Sequence, residues 1–174
     1  LAASLHSRFR ASLMNAFDYY MPPRIHFGSG NLAKLGEIAS RYGDLALIVG
    51  PVMNEFIRPI YEKAEAILKT SKIDFVTFYE VEPNPSTETV LKAKYLAEEK
   101  QVDLIIAIGG GSSIDTAKMV SSLYGNPHVQ FSKLFMTNDH PFGVYEPIGP
   151  SPKPFIAIST TSGTGSQCTQ AAVI

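Results

Sequence analysis

Residues 104–118 join a short apolar run, three consecutive glycines and the start of a helical pattern. The run at 104–108 has the length and composition of a fully buried strand, and residues 109–111 are all glycine. Ser112 and Asp115 then have the spacing of a capping box, which predicts that a helix begins there. A strand, a glycine turn and a helix in this order indicate an α/β fold.

The same segment predicts a binding site for a phosphate group. Glycines let the backbone approach an anion closely, and the free N–H groups and dipole at a helix start attract it. The spacing is not that of the standard dinucleotide fingerprint, because Ile114 stands where the third glycine of G-x-G-x-x-G would be. A glycine turn that only provides room between a strand and a helix is the alternative.

A second apolar run, at 155–158, leads into a loop rich in hydroxyl groups at 159–166. Hydroxyl groups hydrogen-bond phosphates and amides. In open α/β sheets, ligands lie at the carboxyl ends of the strands. Two such loops after two buried strands therefore favour a ligand site over a solvated Ser/Thr turn.

Strands and helices alternate along the rest of the chain, which predicts a parallel sheet with right-handed crossovers. Asn54 and Ser86 are the expected helix caps. Further strands are predicted at 24–27, 45–49, 74–79 and 171–174, and helices at 32–42, 54–70, 86–100 and 112–123. Residues 126–153 have the composition of a long surface excursion, with a short helix near 131–135.

Composition restricts the class of protein. The chain has 174 residues, enough for one domain with a substantial core, and its formal net charge of −1 argues against nucleic acid or an anionic membrane as the main partner. No apolar stretch approaches the ~20 residues of a membrane span. A single cysteine excludes an intramolecular disulfide, which fits a cytoplasmic location. Residues 1–13 contain two arginines and no acid, so we expect a leader or a remnant there and a domain at 14–174.

Several segments resemble the iron-containing (group III) alcohol dehydrogenase family. Residues 109–118 are similar to its Gly-Gly-Gly-Ser-x-x-Asp-x-Ala-Lys signature, and residues 160–164 to its Thr-Thr-x-Gly-Thr segment. Residues 83–86 resemble its Pro-Asn-Pro-Thr turn, and residues 22–30 its first strand and turn. The resemblance covers about residues 14–174. Dehydroquinate synthases and glycerol dehydrogenases share the triple glycine, so an enzyme of either kind is an alternative, as is a nucleotide-binding fragment without activity.

The resemblance implies a Rossmann-like, mostly parallel sheet with helices on both faces. It implies an NAD(P)-dependent enzyme that transfers a hydride between NAD or NADP and a small alcohol or aldehyde, with Fe²⁺ or Zn²⁺ as Lewis acid. In the family, one Asp and three His of an all-helical C-terminal domain hold the metal, and these positions lie past Ile174. We therefore expect no catalytic and no metal-binding residue in this chain, and a homo-oligomer such as a dimer.

The resemblance also implies which residues hold the cofactor. The pyrophosphate is assigned to Gly110, Gly111, Ser112, Ser113, Ile114 and Asp115, with Asn84 nearby. The nicotinamide side is assigned to Thr160, Thr161, Ser162, Gly163 and Thr164. Asp115 has two interpretations, a hydrogen bond to the start of its own helix or one to a ribose. The loop at 50–54 contains neither an acid nor an arginine, so the choice between NAD and NADP stays open.

Overall fold

The structure is a computed structural model that describes residues 23–134, 148–169 and 171–174. The expected leader at 1–13 and the excursion residues 135–147 lie outside the described residues. The short helix expected near 131–135 is a single 3₁₀ turn at Phe131–Lys133.

Four parallel strands form the sheet of the described chain: β1 (Leu45–Pro51), β2 (Asp74–Val81), β3 (Leu104–Gly109) and β4 (Phe155–Ser159). Their order across the sheet is β2-β1-β3-β4. Every residue of β3 is buried, as its continuous apolar run predicts for a central parallel strand.

Four α-helices cover the sheet: α1 (Leu35–Ala39), α2 (Arg58–Thr70), α3 (Thr87–Lys100) and α4 (Gly111–Leu123). Alternate residues of β1 belong to two different apolar clusters, one on each face of the sheet. Leu47 and Val49 pack with α3 and α4, whereas Ala46 and Ile48 pack with α1 and α2. Helices therefore lie on both faces of a parallel sheet, which confirms the expected Rossmann-like α/β class.

One of the two expected helix caps forms. Ser86 Oγ accepts a hydrogen bond from the Thr89 backbone N–H at 3.3 Å at the start of α3, and so satisfies an N–H group that a helix start leaves without an intrahelical partner. Asn54 does not cap α2, whose cap residue is Ile57 and has no side-chain hydrogen bond. Asn54 Oδ1 instead accepts bonds from the N–H groups of Phe56 and Ile57, in the turn that leads into α2.

Two predicted strands are wrong. Residues 24–27 form no strand, and Phe27 is 96% exposed. Residues 171–174 form none either, and the Val173 N–H donates instead to a side chain of α4. A strand requires a neighbour for its ladder of hydrogen bonds, and neither run has one among the described residues.

Several element boundaries also differ from the sequence prediction. Helix α2 begins at Arg58 and not at residue 54, and β2 continues beyond residue 79 to Val81. The helix expected at 32–42 is a 3₁₀ turn, Asn31–Lys34, followed by the five residues of α1. Strand β1 does not stop before Gly50 but continues to Pro51. Among the described residues, no helix combines the length and apolar character that crossing a membrane would require.

Candidate cofactor-binding site

The strand order places the site. From β1 the chain moves outward to β2 on one side, and β3 and β4 lie on the other side of β1. The carboxyl ends of β1 and β3 therefore flank a point where the direction of winding reverses. Ligands of doubly wound sheets bind in the crevice at such a point.

Helix α4 presents unpaired backbone donors at this edge of the sheet. Its first intrahelical bond runs from the Ile114 N–H to the Gly110 carbonyl at 3.1 Å. In the part of the chain that the structure describes, the N–H groups of Gly111, Ser112 and Ser113 have no acceptor. Unpaired donors at a helix start, together with the helix dipole, are the general arrangement that attracts an anion.

The predicted capping box does not form, because the cap residue of α4 lies two residues before Ser112. The helix begins at Gly111, with Gly110 as its cap residue, so Ser112 lies inside the first turn. Ser112 is then not a cap, and its Oγ accepts a hydrogen bond from the backbone N–H of Asn84 at 3.3 Å. The helix can begin at Gly111 because this residue has no side chain that would contact the neighbouring hydroxyl loop.

The glycines allow the hydroxyl loop to lie directly against the helix start. A Cβ on Gly111 would lie 3.1 Å from Thr164 Cγ2 and 3.2 Å from Ser166 Oγ. A Cβ on Gly110 would lie 3.1 Å from Thr161 Oγ1. Gly109 has a φ of +151°, a conformation that side chains rarely adopt. The glycine turn therefore serves close packing of two loops as well as any ligand.

The loop between β2 and α3 forms another side of the site, and a carboxylate organises it. Glu82 accepts hydrogen bonds from its own backbone N–H, from the Ser86 N–H and from the Thr89 hydroxyl, and these hold its pKa at about 2. Asn84 lies between these contacts with a φ of +54°, which Asn tolerates better than most residues. Asn84 thus faces the first turn of α4 in a fixed conformation.

These elements line a cavity of about 250 Å³ that opens to solvent at the carboxyl edge of the sheet. The residues that line it come from the β2–α3 loop, the start of α4, the hydroxyl loop and the last described segment: Asn84, Pro85, Gly111, Ser112, Asp115, Thr164, Ser166 and Val173. Sequence reasoning selected five of them in advance, namely Asn84, Gly111, Ser112, Asp115 and Thr164.

Other residues assigned to the cofactor do not line this cavity. Ile114 is fully buried in the core, and its N–H is used within the helix. The side chain of Ser113 is buried beside Gly109, so that only its backbone N–H is available. The Thr160 N–H donates to the Gly109 carbonyl and extends the pairing of the sheet. Thr161, Ser162 and Gly163 are exposed outside the cavity.

Pro85, Ser166 and Val173 line the cavity but were not predicted. Pro85 and Ser166 directly adjoin predicted segments, so their place in the Pro-Asn-Pro turn and the hydroxyl loop was the available signal. Val173 contacts Asp115, which lies 58 positions earlier in the chain, and no local sequence pattern indicates this contact.

Asp115 does not turn back to the start of its own helix. Its Oδ2 accepts a hydrogen bond from the Val173 N–H at 3.1 Å, and its Oδ1 lies 3.0 Å from Lys118 Nζ. The residue is 5% exposed. The structure therefore replaces the helix-start interpretation by an ion pair that joins α4 to the segment around Val173.

The loop after β1 is held by a tyrosine. The hydroxyl of Tyr61 donates to the Pro51 carbonyl at 2.8 Å, and burial raises its pKa, which keeps the hydroxyl protonated. A Cβ on Gly50 would lie 2.1 Å from this hydroxyl, so the space beside Gly50 is already filled. The loop that can face a ribose thus starts at Pro51, where β1 ends, and continues through Val52, which is 63% exposed.

The donor set within the described ranges does not fit a metal ion. No group of three or more His, Cys, Asp or Glu side chains there could hold one. His26 and His128 are exposed at separate places in the chain.

Comparison with known proteins identifies the family of this chain. The family model described as iron-containing alcohol dehydrogenase matches residues 22–174. The chain is 37% identical over 161 residues to the NADH-dependent butanol dehydrogenase A of Clostridium acetobutylicum, covering 92% of this chain and 39% of that protein. It is 35% identical over 156 residues to the NADPH-dependent butanol dehydrogenase of Clostridium saccharobutylicum, covering 90% and 38%.

A solved structure that is similar to this chain is also that of an alcohol dehydrogenase. An archaeal alcohol dehydrogenase from a Red Sea brine pool, bound to NZQ, superposes with a TM-score of 0.80 at 33% identity, covering 91% of this chain and 40% of that one. The chain thus spans about two fifths of the length of these relatives. With a family model that matches from residue 22 to residue 174, this chain belongs to the iron-containing alcohol dehydrogenase family.

Proposed function

We propose that this chain binds NAD or NADP at the carboxyl edge of its sheet, as the cofactor-binding part of a metal-dependent alcohol dehydrogenase. The observation that carries the proposal is the start of α4, where three unpaired N–H groups adjoin a cavity lined by the hydroxyl loop and Asn84. The diphosphate bridge of a dinucleotide carries negative charge and has oxygens that can accept hydrogen bonds from these donors.

Each part of the site has a role in this binding. The N–H groups of Gly111, Ser112 and Ser113 donate to pyrophosphate oxygens, and the dipole of α4 favours their negative charge. Thr164 lies on the opposite wall, where its hydroxyl orients the bound cofactor. Asn84 closes the third side through its bond to Ser112. Binding in a crevice fixes the nicotinamide for hydride transfer and limits its access to water.

In this reaction class, a bound divalent metal polarises the alcohol oxygen as a Lewis acid. The described residues offer no group of ligands for it. The role we assign to the described residues is to bind and orient the dinucleotide. A small alcohol or aldehyde is the proposed substrate, since relatives at 37% and 35% identity are butanol dehydrogenases.

Titration calorimetry of the gene's full-length product with NADH and with NADPH tests the proposal. We expect micromolar binding of at least one of them, and a large loss of that binding in Gly111→Val. Absence of binding by the folded wild-type protein would refute it. Binding without any alcohol-dependent turnover would favour a nucleotide-binding protein without this activity.

Two finer statements belong to the same proposal. We infer a homo-oligomer from the family to which the chain belongs, and a cytoplasmic location from the single cysteine, which fits a reducing compartment. Sedimentation of the purified product and fluorescence microscopy of a tagged copy test them.

A further inference from the structure

A buried carboxylate forms part of the wall of the proposed phosphate cavity. Asp115 lines the cavity and is 5% exposed. An ionised carboxylate at this place repels the phosphates of a dinucleotide, and a poorly solvated site makes that repulsion stronger. Asp115 Oδ1 accepts no hydrogen bond of ordinary geometry from the described residues. The site therefore needs a compensating cation.

Lys118, one turn further along α4, supplies that cation. Its Nζ lies 3.0 Å from Asp115 Oδ1, and both side chains are almost inaccessible, at 12% and 8% exposure. Lys118 is not among the residues that line the cavity. Its charge therefore acts on a bound anion through Asp115 and not by direct contact.

The same lysine also holds the opposite wall in place. Lys118 Nζ donates to Thr169 Oγ1 at 3.2 Å and to the Ala171 carbonyl. Asp115 Oδ2 accepts the Val173 N–H at 3.1 Å. The two side chains thus fasten the segment from Thr169 to Val173 to α4, and Val173 is part of the cavity wall.

We propose that Lys118 is a positioning residue of the dinucleotide site, which neutralises Asp115 and fixes the segment that closes the cavity. Without Lys118, the cavity wall carries an uncompensated negative charge beside the phosphates. If residue 115 carries no charge, Lys118 is not needed to neutralise it. This inference rests on the proposed dinucleotide binding.

The test is a set of dissociation constants for NADH, or for NADPH if that is the cofactor bound, measured on the full-length product by calorimetry. We expect Lys118→Met to weaken binding by at least tenfold, the scale of an uncompensated charge roughly 6–12 Å away at an effective dielectric of about 20. Asp115→Asn should bind at least as well as wild type, since Asn still accepts the Val173 N–H. In the double variant, which combines Lys118→Met with Asp115→Asn, the dissociation constant should return to within about threefold of the wild-type value.

Lys72→Met is the matched control. Lys72 is exposed just before β2, at the edge of the sheet opposite to the cavity, and its loss changes the net charge by the same amount. We expect its dissociation constant to stay within about twofold of wild type. Lys118→Arg keeps the charge, so it should bind within about threefold of wild type. If Lys118→Met does not fold, Lys118→Gln removes the same charge and takes its place.

Each outcome decides a separate point. A double variant as weak as Lys118→Met would overturn the inference, because a merely structural lysine is not rescued by removing a charge. Lys118→Arg as weak as Lys118→Met would overturn it as well. If folded wild-type protein binds neither NADH nor NADPH, the proposed function fails and this inference fails with it.

Discussion

The backbone N–H of Asn84 donates to Ser112 Oγ at 3.3 Å, across 28 positions of the chain. This bond joins the loop after β2 to the first turn of α4. Asn84 has a φ of +54°, so the loop is held in a conformation in which that N–H points at the helix start. The two loops that face the proposed phosphate position are therefore mechanically connected.

Ser112→Ala tests this connection. Removal of the hydroxyl deletes the bond to Asn84 and one potential donor to the cofactor, and a hydrogen bond contributes about 1 kcal/mol. We expect the dissociation constant of the dinucleotide to rise about five- to tenfold. The control is Ser122→Ala on the same helix, whose hydroxyl makes no hydrogen bond to the described residues. Equal effects of the two substitutions would contradict the assigned role.

Gly111→Ala should separate binding from stability. Gly111 is helical, so alanine adds no backbone strain there, and helix propensity favours alanine by up to about 1 kcal/mol. The new Cβ would lie 3.1 Å from Thr164 Cγ2 and would displace the hydroxyl loop. We expect weaker dinucleotide binding, by about tenfold, in a protein whose melting temperature is not lowered.

Thr164→Ser in the Gly111→Ala background supplies the complementary experiment, because serine lacks the methyl group that the new Cβ would meet. The double variant should recover most of the lost affinity. If it binds no better than Gly111→Ala alone, crowding by Thr164 is not the cause of the loss.

Glu82 should make stability depend on pH in a defined range. Its pKa lies at about 2 in the folded chain, below the ordinary value of 4.5. A lowered pKa stabilises the fold fully above pH 4.5, and this contribution is lost as pH falls from 4.5 towards 2. Glu82→Gln should therefore lower the melting temperature at pH 7, and the difference from wild type should shrink towards pH 3.

The control for this experiment is Glu88→Gln, an exposed carboxylate in the first turn of the same helix α3. We expect a much smaller effect, with little change over the same pH range. A Glu82→Gln difference that stays constant between pH 7 and pH 3 would show that the charge of Glu82 does not stabilise the loop.

Pro51→Asp tests what decides between NADH and NADPH. Pro51 ends β1 beside Gly109, and no acid precedes Glu55 in the loop that follows. A carboxylate introduced there repels a 2′-phosphate by roughly a few kcal/mol at moderate dielectric. We expect wild type to use both cofactors, and the variant to lower the ratio of kcat/KM for NADPH over NADH at least tenfold.

Pro51→Asn is the uncharged match for that substitution and should leave the ratio near the wild-type value. A wild type that already rejects NADPH a thousandfold, or a Pro51→Asp ratio equal to that of Pro51→Asn, would show that charge in this loop does not set the preference.

The local part of this fold could be predicted from the sequence, and the non-local part could not. Strand β3 and helix α4 follow from a buried apolar run, three glycines and a helical pattern within fifteen or so residues. The strands expected at 24–27 and 171–174 fail because pairing depends on neighbours that local composition does not specify. The start of α4 was predicted one residue late, since glycine carries no cap signal of its own.

The site shows the same division. Gly111, Ser112 and Thr164 could be selected because they belong to short segments with recognisable chemistry. The partners of Asp115 could not, because Val173 approaches it from 58 positions along the chain. Ile114 was assigned to the cofactor as part of a contiguous motif, but the helical period turns its side chain into the core.

The most direct test of the central claim is a crystal structure of the full-length product with NADH or NADPH bound. We expect pyrophosphate oxygens within about 3 Å of the backbone nitrogens of Gly111, Ser112 and Ser113. Thr164 and Asn84 should flank the same pyrophosphate. A dinucleotide whose phosphates lie elsewhere, with these three nitrogens bound only to water, would contradict it.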